Sequence, residues 1–265
     1  MLILKKPFDD LWKGKDAFEE VEKISGKVYR SVATRETSRF EVDGKGYYLK
    51  LHHGITYKEF FKNVFSLHAP VLGAGNEWRA INRLADLGVD TMHGVAYGER
   101  GFNPIKQTSF IVTEDLAPCI SLEDFCENWA KEPPKYSVKK ALVTRVAEMV
   151  RKMHEGGINH RDCYICHFLL QLPFDDLSNF KLSVIDLHRA QIRDKVPYRW
   201  RNKDLVALYY SVMDIGLKPR DYLRFLKIYF NGRKLKEIFK DEAKLIESFE
   251  VKAQKIRTRT LKKGL

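Results

Sequence analysis

One stretch of this 265-residue chain concentrates side chains able to hold cations and move protons: His160-Arg161-Asp162-Cys163-Tyr164-Ile165-Cys166-His167. A second acid stands further on, in Ile185-Asp186-Leu187-His188, and Lys50 and Glu77 lie upstream. Carboxylates suit a hard metal ion or a proton in transit. Thiols and imidazoles widen the choice. Cys163-Tyr164-Ile165-Cys166-His167 has the C-x-x-C-H form of a c-type haem attachment site. That chemistry needs export, and the opening MLILKKPFDDLWKGKD lacks the apolar core of roughly 7–15 residues and the cleavage site of a signal peptide. Zinc would need a fourth ligand, from His160 or His188. No thioredoxin-like pattern surrounds the cysteines, so two half-buried thiols packing a loop are the simpler expectation. The chain has no G-x-x-x-x-G-K-[ST], which excludes a P-loop fold. Gly73-Ala74-Gly75 lacks the third glycine of a dinucleotide fingerprint and reads as a turn before a helix.

These residues need elements to hold them. Residues 27–52 read as an antiparallel meander of Lys27 to Ala33, Arg39 to Val42 and Tyr47 to Leu51, with Asp43-Gly44-Lys45-Gly46 turning into the third strand. Lys50 falls in that strand. Residues 57–67 and 76–87 are patterned as helices, the second ended by Gly88 and carrying Glu77 near its start. Strands follow from His93 to Tyr97 and from Ser109 to Thr113. Ser121-Leu122-Glu123-Asp124 has the S-x-x-D form of a helix start. From Ser137 a long helix puts Val138, Leu142, Val146, Met149, Val150 and Met153 on one face until Gly156-Gly157. Asp162 lies in the loop beyond it. Two short apolar strands, Phe168 to Leu170 and Leu182 to Ile185, come next, and Asp186 ends the second. From Trp200 onward the pattern is helical. A boundary near residues 115–120 separates a β-rich part, 1–115, from a helical part, 116–265. A cleft between two such lobes is the expected place for a ligand.

Taken in this order, the residues resemble the protein-kinase-like fold: α+β, bilobal, with a β-rich N-lobe and a mostly helical C-lobe. Phosphoryl transfer asks a protein mainly for positioning and charge neutralisation. The resemblance implies four roles. Lys50 reaches the phosphates of ATP, Glu77 holds Lys50, Asp186 holds Mg²⁺, and Asp162 is the base that orients the attacking hydroxyl. The hinge Thr113-Glu114-Asp115-Leu116-Ala117 offers backbone groups to the adenine, which brings Glu114 and Leu116 into the nucleotide site. Asp204 either braces the His160-Arg161-Asp162 loop or is an ordinary first-turn acid favoured by the helix dipole. Two positions depart from the pattern. His167 stands where such enzymes usually carry a metal-binding Asn, and Mg²⁺ prefers oxygen to imidazole. It therefore either ligates metal poorly or contacts phosphate. The loop Ser31 to Thr37 has no glycine, so phosphate contact there falls to hydroxyls and Arg35.

The likeness narrows further. PVLGAGNEWRAINRL, GVDTM, SFIVTEDLAP, ISLEDF, GINHRDCYICHFLL, LSVIDLHRAQ and RWRNKDL look like the lipopolysaccharide core heptose(I) kinase family of Gram-negative bacteria, across nearly the whole chain. Within that family His167 is the usual residue. The resemblance implies ATP- and Mg²⁺-dependent phosphorylation of O-4 of the first inner-core heptose. The acceptor is a lipid A–core molecule at the cytoplasmic face of the inner membrane, and the catalytic aspartate maps onto Asp162.

Composition agrees with an anionic partner. The chain carries 47 Lys+Arg against 35 Asp+Glu, a net +12. Its 44% hydrophobic content is that of a folded protein, and four Cys are too few for a disulfide scaffold. Basic residues gather at Arg189, Arg193, Lys195, Arg199, Arg201 and Lys203, and Val251 to Leu265 holds six more with no acid. No apolar run approaches the roughly 18–20 residues of a membrane span, so peripheral, reversible association is expected. An acidic protein such as an acyl carrier protein is a rival partner for the same charge. A protein kinase would share the transfer residues, but the 17 residues between Asp186 and Asp204 contain no Ser or Thr for a switched activation loop. A nucleotide-binding pseudokinase or scaffold would explain the glycine-free loop, and Lys50, Asp162 and Asp186 argue against it. A nucleic-acid binder has only the charge in its favour, without zinc-finger spacing or RNP-like strands.

Overall fold

The computed structural model describes residues 1–32, 34–54, 73–101 and 107–262; the helix expected over 57–67 lies outside them. The fold is α+β and divides into two compact units. The first comprises Met1–Arg83, Met92–Ala117 and Asp186–Arg189, and the second Leu84–Thr91, Pro118–Ile185 and Ala190–Leu265.

The first unit is built on a six-stranded sheet in the order β1-β5-β6-β4-β3-β2, antiparallel throughout. The strands are β1 (Leu2–Leu4), β2 (Lys27–Val32), β3 (Arg35–Val42), β4 (Lys45–His53), β5 (Gly94–Arg100) and β6 (Thr108–Glu114). Asp43 and Gly44 both have positive φ, the geometry of a tight hairpin turn between β3 and β4. Side chains alternate across a strand. In β4 this buries Tyr47, Leu49 and Leu51 and puts Lys50 on the other face. The buried face packs with Phe40, Phe110 and Val112 against Phe8, Trp12, Phe18 and Val21. Those last four come from or flank α1 (Phe8–Leu11) and α2 (Ala17–Glu22). Helix α3 (Gly75–Asp86) carries Glu77 and Trp78, and the Trp78 ring stacks on Tyr97 of β5.

The loop expected between β2 and β3 is much shorter than its composition suggests. Arg35 pairs with Val32 on one side and His52 on the other, and Thr37 pairs with Arg30 and Lys50. Strand β3 thus begins at Arg35 rather than Arg39. An interior strand satisfies its backbone groups on both edges, and this outweighs the polar character of residues 35–37.

The second unit is mostly helical: α4 (Leu122–Phe125), α5 (Tyr136–Glu155), α6 (Tyr198–Val212), α7 (Pro219–Tyr229), α8 (Leu235–Asp241) and α9 (Ala243–Leu261). Ser121 caps α4, its Oγ accepting from the Asp124 N–H at 3.0 Å. Helix α5 buries Leu142, Val146, Met149, Val150 and Met153, the face its periodicity marks. Five short strands complete the unit: β7 (Cys119–Ser121), β8 (Ile158–Asn159), β9 (Phe168–Gln171), β10 (Leu182–Val184) and β11 (Gln191–Ile192). They form a sheet in the order β10-β9-β7 and a pair β11-β8. Gly157 makes the pair possible: its φ is +83°, and a Cβ there would sit 1.8 Å from the Arg193 carbonyl oxygen. Among the described residues no helix is long and apolar enough to cross a membrane.

Candidate active site

Three of the expected residues meet in the first unit. The Lys50 ammonium donates to Glu77 Oε1 at 2.7 Å and lies 3.7 Å from Asp186 Oδ1. Glu77 is 1% exposed, which makes this a buried ion pair whose partners hold each other in place. Glu77 Oε2 has no hydrogen-bond partner among the described residues, so the carboxylate is committed to Lys50. Burial, reinforced by the charges of Arg35 and Lys50, pushes the neighbouring His52 imidazole down to about 3 and keeps it neutral. Asp186 has φ +61°. An L-residue in that region carries roughly 1–3 kcal/mol of strain and needs surrounding structure to hold it. The His188 Nδ1–H donates to Asp186 Oδ1 at 2.6 Å, and Asn76 Nδ2 donates to the His188 carbonyl at 3.0 Å. Asn76 precedes Glu77 on α3, so one helix supports both carboxylates.

The remaining first-unit residues are dispersed. Arg35 opens β3. Glu114 ends β6, where its carboxylate pairs with Lys45 and His93. Burial would raise the Glu114 carboxyl, but those two partners outweigh it and hold it below its ordinary value. With the side chain engaged, the segment can address a base only through its backbone. The Glu114, Asp115 and Ala117 N–H groups donate to His93 O, Gly46 O and Asp115 Oδ1. Leu116 is the one residue of 114–117 whose N–H bonds to nothing among the described residues.

The second unit holds the loop with Asp162. It leaves β8 at Asn159 and re-enters regular structure in a 3-10 turn at Ile165–His167. Asp204 of α6, 1% exposed, accepts the backbone N–H groups of His160 at 2.6 Å and Arg161 at 2.8 Å. It therefore braces the loop and is not merely a first-turn acid. His154 Nε2 stands 3.3 Å from the same carboxylate, and its Nδ1 is 2.7 Å from the Tyr229 hydroxyl. Arg161, at φ +73°, is strained in the same way. The Asp162 carbonyl accepts the Tyr164 N–H at 2.9 Å and the His167 Nδ1–H at 2.7 Å. His160 Nε2–H donates to the Ile185 carbonyl at 2.9 Å, and the His160 and His167 rings lie parallel, 5.6 Å apart. The loop is thus anchored on both sides of the Asp162 carboxyl. Cys163 is fully buried, which pushes its thiol well above the ordinary value, aided by Asp204 and Asp162. It packs the loop and offers no thiolate.

Sequence reading missed His154, Tyr229 and Asn76. The first two sit on helical faces that look like core, and Asn76 acts through a carbonyl far along the chain. Asp204→Ala deprives the His160 and Arg161 N–H groups of their acceptor, each worth about 1–3 kcal/mol when buried. The expected result in urea unfolding is a large drop in midpoint, with turnover falling in the protein that remains folded. An unchanged midpoint and turnover would remove the brace.

Chemically, one unit offers a lysine held beside an acid, and the other an acid on a fixed loop. The first pair suits phosphate oxygens and a cation, and the second suits a hydroxyl proton. The sequence profile of the "Lipopolysaccharide kinase (Kdo/WaaP) family" matches residues 19–229. The chain is 59% identical over 266 residues to "Lipopolysaccharide core heptose(I) kinase WaaP" of Escherichia coli, covering 100% of both chains. It is 55% identical over 264 residues to the protein of the same name from Pseudomonas aeruginosa, covering 99% of this chain and 98% of that one. A solved structure described as "WaaP in complex with acyl carrier protein" superposes with a TM-score of 0.86 at 54% identity, covering 96% of this chain and 98% of its own.

Proposed function

The chain belongs to the lipopolysaccharide kinase (Kdo/WaaP) family, and from that membership we propose that it moves the γ-phosphoryl group of ATP to O-4 of heptose I in the lipopolysaccharide inner core. In the geometry, the observation that supports phosphoryl transfer is the Lys50–Glu77 ion pair with Asp186 beside it, a lysine and an acid of the kind that hold phosphate oxygens and a cation, while the acceptor rests on the family membership. We propose a bilobal protein-kinase-like fold with an N-lobe over residues 1–115 and a C-lobe over residues 116–265, a division by sequence that differs from the two compact units at 84–91, 116–117 and 186–189.

Mg²⁺ usually keeps several waters and binds through one or two carboxylates plus substrate phosphates. Asp186 supplies that kind of donor, and no cage of three or more His, Cys, Asp or Glu exists among the described residues. Asp186 would hold the ion, which would supply charge neutralisation at the phosphates. Lys50 neutralises the phosphates from the protein side, held in place by Glu77. The Leu116 N–H serves the adenine edge, and Arg35, at the start of β3, serves the phosphates in place of glycine backbone. Asp162 accepts the proton of the heptose hydroxyl as its oxygen bonds to the γ-phosphorus and the bond from that phosphorus to the bridging oxygen breaks, releasing ADP. His167 fits the metal poorly because Mg²⁺ prefers oxygen to imidazole; its Nδ1–H, donated to the Asp162 carbonyl, fixes the ring against the loop. We therefore assign it to positioning Asp162. His167→Ala should lower kcat while leaving the Mg²⁺ half-saturation unchanged. A rise of about 10–100-fold in that concentration would return His167 to the metal.

The basic surface is read as the link to location, at the cytoplasmic face of the inner membrane. Part of it is structural: Arg201 is fixed by both oxygens of Glu242, and Arg257 of the C-terminal helix pairs with Asp214. Each remaining cation near an anionic surface contributes about 1 kcal/mol. Co-sedimentation should occur with anionic but not neutral liposomes and fade as salt rises. The solved structure of a relative in complex with acyl carrier protein supports an acidic protein as the competing partner. Binding to no liposome at any salt, with an acidic protein co-purifying, would replace the membrane by that partner. The function itself is tested by ATP consumption with lipopolysaccharide lacking this phosphate, against a generic protein substrate. Turnover only with the protein substrate would favour a protein kinase, and none with either a pseudokinase.

A further inference from the structure

Trp200, in the first turn of α6, is ringed by cations. Lys203 Nζ lies 4.4 Å from its ring centroid, and the guanidinium carbons of Arg199, Arg161 and Arg193 lie at 5.3, 5.6 and 5.9 Å. Like charges repel, so four of them around one ring call for compensation. The ring face supplies some. Arg193 is held by the neutral amide oxygens of Asn159 and Gln191, each at 2.7 Å. Among the described residues no carboxylate lies within ion-pair distance of Arg199 or Lys203. Burial, with Arg199 and Arg161 next in weight, holds the Lys203 ammonium below its ordinary value. The positive end of the α6 dipole adds to the same field. Arg201, one residue beyond Trp200, shows the contrast, because Glu242 matches it fully.

We propose that the cations around Trp200 form a binding site for an anionic substituent, carboxylate or phosphate, carried by the acceptor glycolipid. The inference rests on the kinase reading above. The nucleotide phosphates have Lys50 and the metal at Asp186, so a second cationic site serves a different anion. Arg161 adjoins Asp162 in the chain, which ties this site to the residue that receives the acceptor hydroxyl. Arginine and lysine recognise such oxyanions through charge-assisted hydrogen bonds.

In Arg199→Ala/Lys203→Ala the acceptor KM should rise about tenfold or more, with the ATP KM nearly constant. Arg199→Lys/Lys203→Arg, which keeps both charges, should restore it. An unchanged acceptor KM, or a rise in the ATP KM instead, overturns the proposal. Tryptophan fluorescence gives an arm independent of turnover. Titration with acetate, and separately with inorganic phosphate, at fixed ionic strength should give a saturable change that both Trp200→Phe and the double alanine variant lack. The anion giving the change at lower concentration names the group, and no change with either overturns the site. Should the wild-type protein transfer nothing to the acceptor, the kinase reading fails, while this titration still decides the site.

Discussion

Asp162→Asn is expected to leave the protein folded and able to bind nucleotide while lowering turnover about 10²–10⁴-fold, the usual worth of a general base. Asparagine keeps the size of the side chain and cannot take the proton. Backbone bonds that shape the loop come from Asp204, Tyr164 and His167, and the substitution leaves these in place. Binding and chemistry should therefore separate cleanly. Nucleotide titration together with steady-state rates reads both, and near-normal turnover in the variant would take the role away from Asp162.

Asp186→Ala is expected to abolish Mg²⁺-dependent transfer, and Lys50→Ala to lower kcat/KM about 10²–10³-fold, as for loss of one electrostatic donor at a reacting centre. The two should differ in kind. Removing Lys50 leaves Glu77 as an uncompensated buried charge, so Lys50→Ala should also cost stability. Asp186→Ala removes an acid from a strained, half-exposed position and relieves an L-residue at φ +61° of its partner His188. Thermal unfolding of both variants, beside Mg²⁺ titrations of rate, checks the pair. Unchanged kinetics in both would undermine the reading of the first unit as a nucleotide site.

Much of this site was legible because its residues sit at the ends of strongly patterned elements. The alternation in Tyr47 to Leu51 puts Lys50 opposite a buried face, and the helix ended by Gly88 carries Glu77 in its first turn. The pairing of Lys50 with Glu77 follows from those two placements. Other features left no local trace. Strands β1, β7, β8 and β11 are two or three residues long, too short for any periodicity. Helices α1 and α2 are four and six residues long and owe their form to Phe8, Phe18 and Val21 packing on the sheet. The polar run 35–37 reads as loop because its strand pairing is supplied by β2 and β4. Of the second-unit groups, Asp204 offered two meanings, and only its bonds to the His160 and Arg161 backbone choose between them. His154 and Tyr229 behind it are 50 and 25 residues from Asp204 in the chain, beyond the reach of any sequence window.

The central claim is the position of the transferred phosphate. Lipid A–core acceptor lacking the heptose I phosphate, incubated with the protein, ATP and Mg²⁺, should yield a product whose two-dimensional phosphorus–proton NMR spectrum places one new phosphomonoester on O-4 of heptose I. The same incubation with Asp162→Asn should leave the acceptor unmodified over the same time. A phosphate on another sugar, or on the protein alone, or an unmodified acceptor with the wild-type chain, would contradict the account.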